Sequence, residues 1–251
     1  LNNKKEYIKT IGYFLFITLM FAPRFLNASF VSGQCSKDGY SIITINGINT
    51  NKVDSEKNMD KLIKTFGSFY NEQLIDYQYL FNATHLAGLK DIADVFIQDF
   101  FHTQSDYDLV EMLKDGSNKI TTQKVLLVGH SQGNFYANNF YKNVVEQTGG
   151  IPKESIRVYS VGTPSNTVAG NPVPLPFEYT TSDTDKVIFS FAALPLTSSV
   201  LKPNVHIILK DGDDILGHNF ANVYLKYQAD KIVYDIQTSL SKLKNNDIQA
   251  E

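Results

Sequence analysis

A serine between two glycines is the feature of the chain best suited to covalent chemistry. The pattern Gly-His-Ser-Gln-Gly occupies residues 129–133, directly after the apolar run 125–128 and before a segment with helical spacing. A G-x-S-x-G pattern between a buried strand and a helix is typical of a nucleophile elbow, a sharp turn that exposes the serine hydroxyl. Its glycines let the strand and the helix approach closely. We therefore predict that Ser131 is a nucleophile.

Two backbone amides are candidates for stabilising an oxyanion beside that serine. The Gln132 amide lies at the predicted helix start, where N–H groups and the helix dipole favour negative charge. The second candidate is the amide of Ile48, with Asn49 near it, because Asn-Gly at 46–47 follows a predicted strand. An Asn-Gly hairpin turn is the alternative at this corner. Residues 54–70, however, have helical spacing rather than that of a returning strand.

Two further side chains could complete the proton transfer that a serine nucleophile requires. His218 follows a predicted strand at 205–209 and opens an amphipathic helix, so it is the candidate general base. Asp185 follows a short predicted strand at 177–181 and is the candidate acid that orients the histidine, with Asp183 as the alternative. A serine, a base and an orienting acid are what ester hydrolysis through an acyl-enzyme needs.

The other histidines and acids receive structural interpretations. His130 precedes the serine and is expected to point away from it and to serve in packing, whereas His85 and His102 are expected at the surface or at helix caps. The acidic turn 211–214 lacks the full calcium-binding pattern and is expected to be solvated. We therefore expect neither a metal nor a cofactor.

The segments that must position these residues alternate between apolar runs and helical spacing. Strands are predicted at 41–45, 74–80, 125–128, 156–161, 177–181 and 205–209. Such alternation predicts an α/β fold with a mostly parallel central sheet and helices on both faces. Residues 82–118 are predicted to form a helical insertion before the elbow strand. Part of it is expected to cover the site, although packing on the sheet is the simpler interpretation for most of its apolar residues.

The net charge and the cysteine content argue against some kinds of ligand and cross-link. The 251 residues carry a net charge of −3, which argues against a nucleic-acid partner. Cys35 is the only cysteine, so neither an intrachain disulfide nor a cysteine metal site can form.

The N-terminal residues 1–29 resemble a targeting segment. Residues 11–22 are uncharged and follow a basic start, but a bilayer-spanning helix needs about 20 residues. We expect a signal peptide, with an uncleaved anchor and association with a membrane surface as the alternative. Export to the periplasm or the medium and a mature domain at 36–245 follow from this prediction.

Several short motifs together resemble the α/β-hydrolase superfamily, particularly bacterial lipases and esterases. They are Val-Leu-Leu-Val-Gly-His-Ser-Gln-Gly, the Ile-Asn-Gly-Ile loop, Gly-Thr-Pro, Asp-Lys-Val and Gly-His-Asn-Phe. The resemblance extends from residue 41 to about residue 228. The loop departs from the more usual His-Gly beginning by having Asn46.

The resemblance implies an α/β-hydrolase fold and a cofactor-free serine hydrolase. Ser131, His218 and Asp185 would cleave a carboxylic ester of a small molecule or a lipid. A thioesterase or a deacylase of the same fold is the enzymatic alternative. A catalytically silent binding protein anchored by residues 8–22 is the alternative from another class.

Overall fold

The computed structural model describes most of the chain after the N-terminal segment. The described residues are 35–47, 50–81, 107–146, 150–169, 171, 173–193 and 200–246. The predicted targeting segment 1–29 and residues 82–106 of the predicted insertion lie outside them, so the signal peptide and the cover over the site stay predictions. Among the described residues, no helix is both long enough and apolar enough to cross a bilayer.

Six strands form one mostly parallel sheet. They are β1 (Tyr40–Ile45), β2 (Phe69–Tyr70), β3 (Gln73–Leu80), β4 (Val125–His130), β5 (Ile156–Val161) and β6 (Tyr179–Thr180). Their order across the sheet is β2-β3-β1-β4-β5-β6, and only β2 is antiparallel to its neighbour. The predicted parallel sheet is therefore confirmed, with β4 at its centre.

Helices cover both faces of this sheet. They are α1 (Lys52–Phe66), α2 (Tyr107–Lys119), α3 (Gly133–Glu146), α4 (Lys186–Ala192), a π-helical turn (Phe220–Tyr224), α5 (Leu225–Tyr227) and α6 (Ala229–Ser241). One core lies between the sheet and α1, the π-helical turn, α5 and α6. The other lies between the sheet and α2 and α3. The predicted α/β-hydrolase class, with helices on both faces, agrees with this arrangement.

The central strand explains why its sequence is a continuous apolar run. Leu126 and Val128 face one core, whereas Val125 and Leu127 face the other. All four side chains are buried. A strand covered by helices on both faces has no solvent side, so the alternation of polar and apolar residues is lost. This packing fixes the position of the end of β4, which Ser131 directly follows.

The prediction of a strand at 205–209 is wrong. Val205 makes a single bridge to Ser182, and no ladder continues from it. The chain beyond Ser182 turns into α4, so a hydroxyl, that of Thr184, donates to the carbonyl of Ile207 (2.8 Å) where a strand would offer a backbone amide. Ile207 is buried and Ile208 is exposed, which explains the strand-like alternation.

The helix predicted at 54–70 ends earlier than expected. It stops at Phe66, and Phe69–Tyr70 pairs with the start of β3 through a tight turn. Asn71 and Glu72 in that turn have φ of 47° and 62°. Two successive left-handed residues are typical of a two-residue hairpin, and the glutamate at the second position concealed it in the sequence.

Candidate active site

Ser131 lies at a strained corner between β4 and α3. Its φ is 58°, in the left-handed region that non-glycine residues rarely adopt. The corner is fixed from both sides: the Ser131 amide donates to the carbonyl of Val161 (3.1 Å), and the Asn134 side chain donates to the carbonyl of Ser131 (2.8 Å). Strain held by surrounding contacts is common at functional positions.

The two glycines of the elbow are required by close approach. A Cβ atom on Gly133 would overlap the carbonyl oxygen of Ile45, because the start of α3 passes directly over the end of β1. A Cβ atom on Gly129 would lie 2.6 Å from the side-chain oxygen of Asn134. The G-x-S-x-G spacing therefore reflects the packing that the sequence predicted.

A buried carboxylate holds the imidazole of His218. Asp185 is fully buried, and its Oδ2 lies 2.7 Å from Nδ1 of His218. The hydroxyl of Tyr224 donates to the same oxygen, also at 2.7 Å. The other oxygen, Oδ1, accepts the amides of Val187 and Ile188 at 3.1 Å each, so Asp185 is also the N-cap of α4.

These donors keep Asp185 ionised despite its burial. Burial alone would raise the pKa of the carboxyl. The charge of His218 and the hydrogen bonds from His218, Tyr224 and the Ile188 amide outweigh it and lower the pKa below its usual value. The imidazole of His218 therefore faces a fixed negative charge.

The acidic turn at 211–214 shapes the loop that carries His218, a role that the sequence analysis missed. Oδ2 of Asp214 accepts the amides of His218 (2.9 Å) and Asn219 (3.1 Å). Gly217 has a φ of 68°, and a Cβ atom there would lie 3.0 Å from the carbonyl oxygen of Thr184. The turn thus holds His218 next to the loop that contains Asp185. The sequence alone predicts only a solvated turn here.

His130 contacts His218. Its Nε2 lies 2.7 Å from the carbonyl oxygen of His218, and the two ring centroids are 4.8 Å apart. A carbonyl can only accept, so Nε2 carries the proton. Burial, followed by the charge of His218, lowers the pKa of His130 to about 3. His130 is therefore neutral at physiological pH and supports the loop that carries His218.

Ser131 and His218 line one cavity of about 520 Å³, together with His130. Nε2 of His218 is buried and has no hydrogen-bond partner among the described residues. No hydrogen bond joins it to the hydroxyl of Ser131. In enzymes without substrate this contact is often long and tightens only when substrate binds.

The remaining candidates have different outcomes. Asp183 pairs with the exposed His206 (2.9 Å) and does not contact His218. Ile48 lies outside the described residues, as does Asn49. Their neighbour Gly47 lies against Ser131, where an added Cβ atom would be 2.5 Å from the serine Cβ.

Three further predictions concern the Gln132 amide, two histidines and metal binding. Gln132 is fully buried at the start of α3, the position expected of an oxyanion donor. His85 and His102 lie outside the described residues. In the part of the chain that the structure describes, no three histidine, cysteine or acidic side chains cluster as a metal site would need.

Comparison with known proteins adds little to this geometry. No family model and no curated protein matches the chain. One similar solved structure is Trichoderma reesei cutinase in complex with a C11Y4 phosphonate inhibitor. The two are 16% identical over 82% of this chain and 80% of the cutinase chain, with a TM-score of 0.40. Because this likeness is weak, function must be argued from the site itself.

Proposed function

We propose that the protein is a serine hydrolase of carboxylic esters, with Ser131 as nucleophile, His218 as general base and Asp185 as the acid that orients it. The observation that carries the proposal is the 2.7 Å hydrogen bond between Asp185 and His218, beside a serine strained into an elbow on the same cavity. A buried acid–imidazole pair is costly to desolvate, and stability alone gives little reason to keep one.

The reaction has two halves. The Ser131 hydroxyl attacks the ester carbonyl while its proton passes to Nε2 of His218, and the oxyanion of the tetrahedral intermediate is held by the amides of Gln132 and Ile48. The imidazolium then protonates the leaving alcohol, and an acyl-serine remains. Water, deprotonated by the same imidazole, attacks the acyl-serine; the acid leaves as the imidazolium returns the proton to the Ser131 oxygen. No cofactor is needed.

The finer assignments extend this proposal. A lipase-like preference rests on the resemblance of Gly-His-Ser-Gln-Gly to lipase motifs and on the apolar insertion at 85–114. Export, with association with a membrane surface as the alternative, rests on residues 1–29. A thioesterase or a deacylase would use the same three side chains. A silent binding protein is the second candidate, favoured by one observation: Nε2 of His218 makes no hydrogen bond to Ser131.

Labelling with a fluorophosphonate probe tests the nucleophile. We expect the protein to be labelled and S131A to lose labelling. S190A is the matched control, because Ser190 lies on the exposed side of α4 and donates only to the carbonyl of Lys186. Labelling that persists in S131A would reassign the nucleophile, and an unlabelled wild type would favour the binding protein.

A panel of 4-nitrophenyl esters of rising chain length then tests the preference for lipids. Rates that rise toward long acyl chains support a lipase-like enzyme, whereas rates that fall beyond short chains support an esterase. S131A should be inactive on every member of the panel.

A further inference from the structure

Charged and polar residues make up most of the described lining of the cavity beside Ser131, and Leu216, Phe220 and Ala221 are among its apolar members. Most of one side is formed by α1, through residues spaced three and four apart, Lys57, Lys61 and Lys64. This spacing places the three lysines on one face of the helix. Asp214, Asn219 and Asn222 also line the cavity. A long acyl chain against these walls would displace water from charged groups without replacing its hydrogen bonds.

Some of these charges are already used within the protein. Lys57 pairs with Asp54 at 3.1 Å, and Asp54 also accepts from the side chain of Asn51 (2.7 Å). Asp214 accepts the amides of the His218 loop. These groups are therefore committed to the fold of the walls and are poor candidates for binding a substrate.

Two cations on the same wall are not committed in this way. Lys61 and Lys64 line the cavity, and no ion pair or hydrogen bond joins their ammonium groups to a residue that the structure describes. Asp60, which is exposed, also lines the cavity and offers a single opposing charge. The lysines and aspartates that line the cavity balance in number, so Lys61 and Lys64 are distinguished by their unpaired ammonium groups and not by a net positive charge.

We infer that the substrate is a polar ester that carries an anionic group, bound by Lys61 and Lys64 while Ser131 attacks the ester. The inference rests on the proposed ester hydrolysis, and it replaces the lipase-like preference with a polar substrate. The anionic group is a carboxylate, a sulfonate or a phosphate, since each accepts hydrogen bonds from an ammonium group. Attraction in an open, solvated cleft is modest, so the lysines act on the choice of substrate more than on the chemical step.

Two pairs of esters with similar shapes and different charges test the inference. Mono-4-nitrophenyl adipate and 4-nitrophenyl hexanoate compare an anionic with a neutral acyl group. 3-Acetoxybenzoate and phenyl acetate compare an anionic with a neutral alcohol. For each pair the measured quantity is the ratio of kcat/KM values, anionic over neutral, in wild type and in each variant. Using the ratio removes differences in the intrinsic reactivity of the esters from the comparison between variants.

Three variants of α1 give outcomes of different sign. K61Q/K64Q should lower the ratio by about five- to tenfold for at least one pair, through a higher KM for the anionic ester. D60N should raise the same ratio by about twofold, because it removes the opposing charge. K52Q is the matched control: it removes a lysine from the start of the same helix, outside the cavity, and should leave the ratio unchanged.

The results distinguish a failure of the anionic-substrate inference from a failure of the proposed hydrolase. If K61Q/K64Q hydrolyses both esters with the wild-type ratio, the anionic substrate is excluded while the serine hydrolase stands. If wild type neither hydrolyses any ester nor reacts with the fluorophosphonate probe, the proposed function fails and the inference fails with it. Added salt gives a further readout. It should reduce the ratio in wild type and leave it nearly constant in K61Q/K64Q, because ions screen exposed charges.

Discussion

The hydroxyl of Tyr224 and the imidazole of His218 meet at the same carboxylate oxygen of Asp185, each at 2.7 Å. Tyr224 is fully buried, and its hydroxyl also accepts the amide of Ser182 (3.2 Å). The tyrosine comes from the π-helical turn that follows the histidine, so one segment of chain delivers both donors. The acid is thereby fixed in position relative to the ring that it orients.

Removing the tyrosine hydroxyl should loosen this arrangement. In Y224F the Asp185 carboxylate loses one buried donor, so we expect the free energy of unfolding to fall by about 1–3 kcal/mol. We expect kcat to fall about tenfold because the imidazole is held less firmly. Urea unfolding and turnover of a nitrophenyl ester measure the two effects. Y234F, at an exposed site on α6, is the control and should match wild type in both.

The two aspartates before α4 should differ sharply in their effect on turnover. In D185N the imidazole loses its anionic partner, so we expect kcat to fall by about 10³–10⁴-fold. D183N breaks only an exposed pair with His206 and should keep turnover within about twofold. Steady-state kinetics on one ester measures both effects. A larger loss of kcat in D183N than in D185N would identify Asp183 as the orienting acid.

The sequence predicted the elbow well because its strand, turn and helix are consecutive in the chain. Gly129 approaches Asn134, five residues later, and the burial of β4 on both faces gives a continuous apolar run. The same locality made the bounds of β5, Ile156–Val161, predictable.

What the sequence could not reveal depends on distant segments. Nothing near Tyr224 in the chain indicates that it contacts Asp185, 39 residues away. The charged face of α1 looks like an ordinary solvated surface until the fold places it beside Ser131. The predicted strand at 205–209 failed for a related reason, because a strand needs a partner and the neighbouring chain had already turned into a helix.

The burial of His130 predicts a pH dependence of stability. The pKa of this imidazole is lowered to about 3 in the folded protein, from about 6.5 in an unfolded chain. Between these values the unfolded state binds a proton that the folded state does not, so stability falls as pH drops from about 6.5 to about 3. At pH 4.5 we expect a loss of about 2–3 kcal/mol relative to pH 7 from this residue.

Comparison of variants at the two pH values isolates that contribution. In H130N the stability difference between pH 7 and pH 4.5, measured by urea unfolding, should shrink by the same amount. H206N removes an exposed histidine and is the control. Asp185 does not interfere, since its lowered pKa costs stability only as pH falls below its unfolded value of about 4. An unchanged pH difference in H130N would show that this imidazole also charges in the folded state.

The contact between Gly47 and Ser131 predicts the effect of the smallest possible side chain. A methyl group in G47A would lie 2.5 Å from the serine Cβ and 3.0 Å from its Oγ, so the serine must shift from its position at the elbow. We expect kcat and the rate of fluorophosphonate labelling to fall together, by about 10²-fold, because a displacement of about 1 Å in the reacting groups is costly. Urea unfolding separates this effect from a general loss of fold. A stable G47A protein with wild-type labelling would mean that the loop after β1 does not position the serine, and it would also weaken the assignment of the adjoining Ile48 amide to the oxyanion hole.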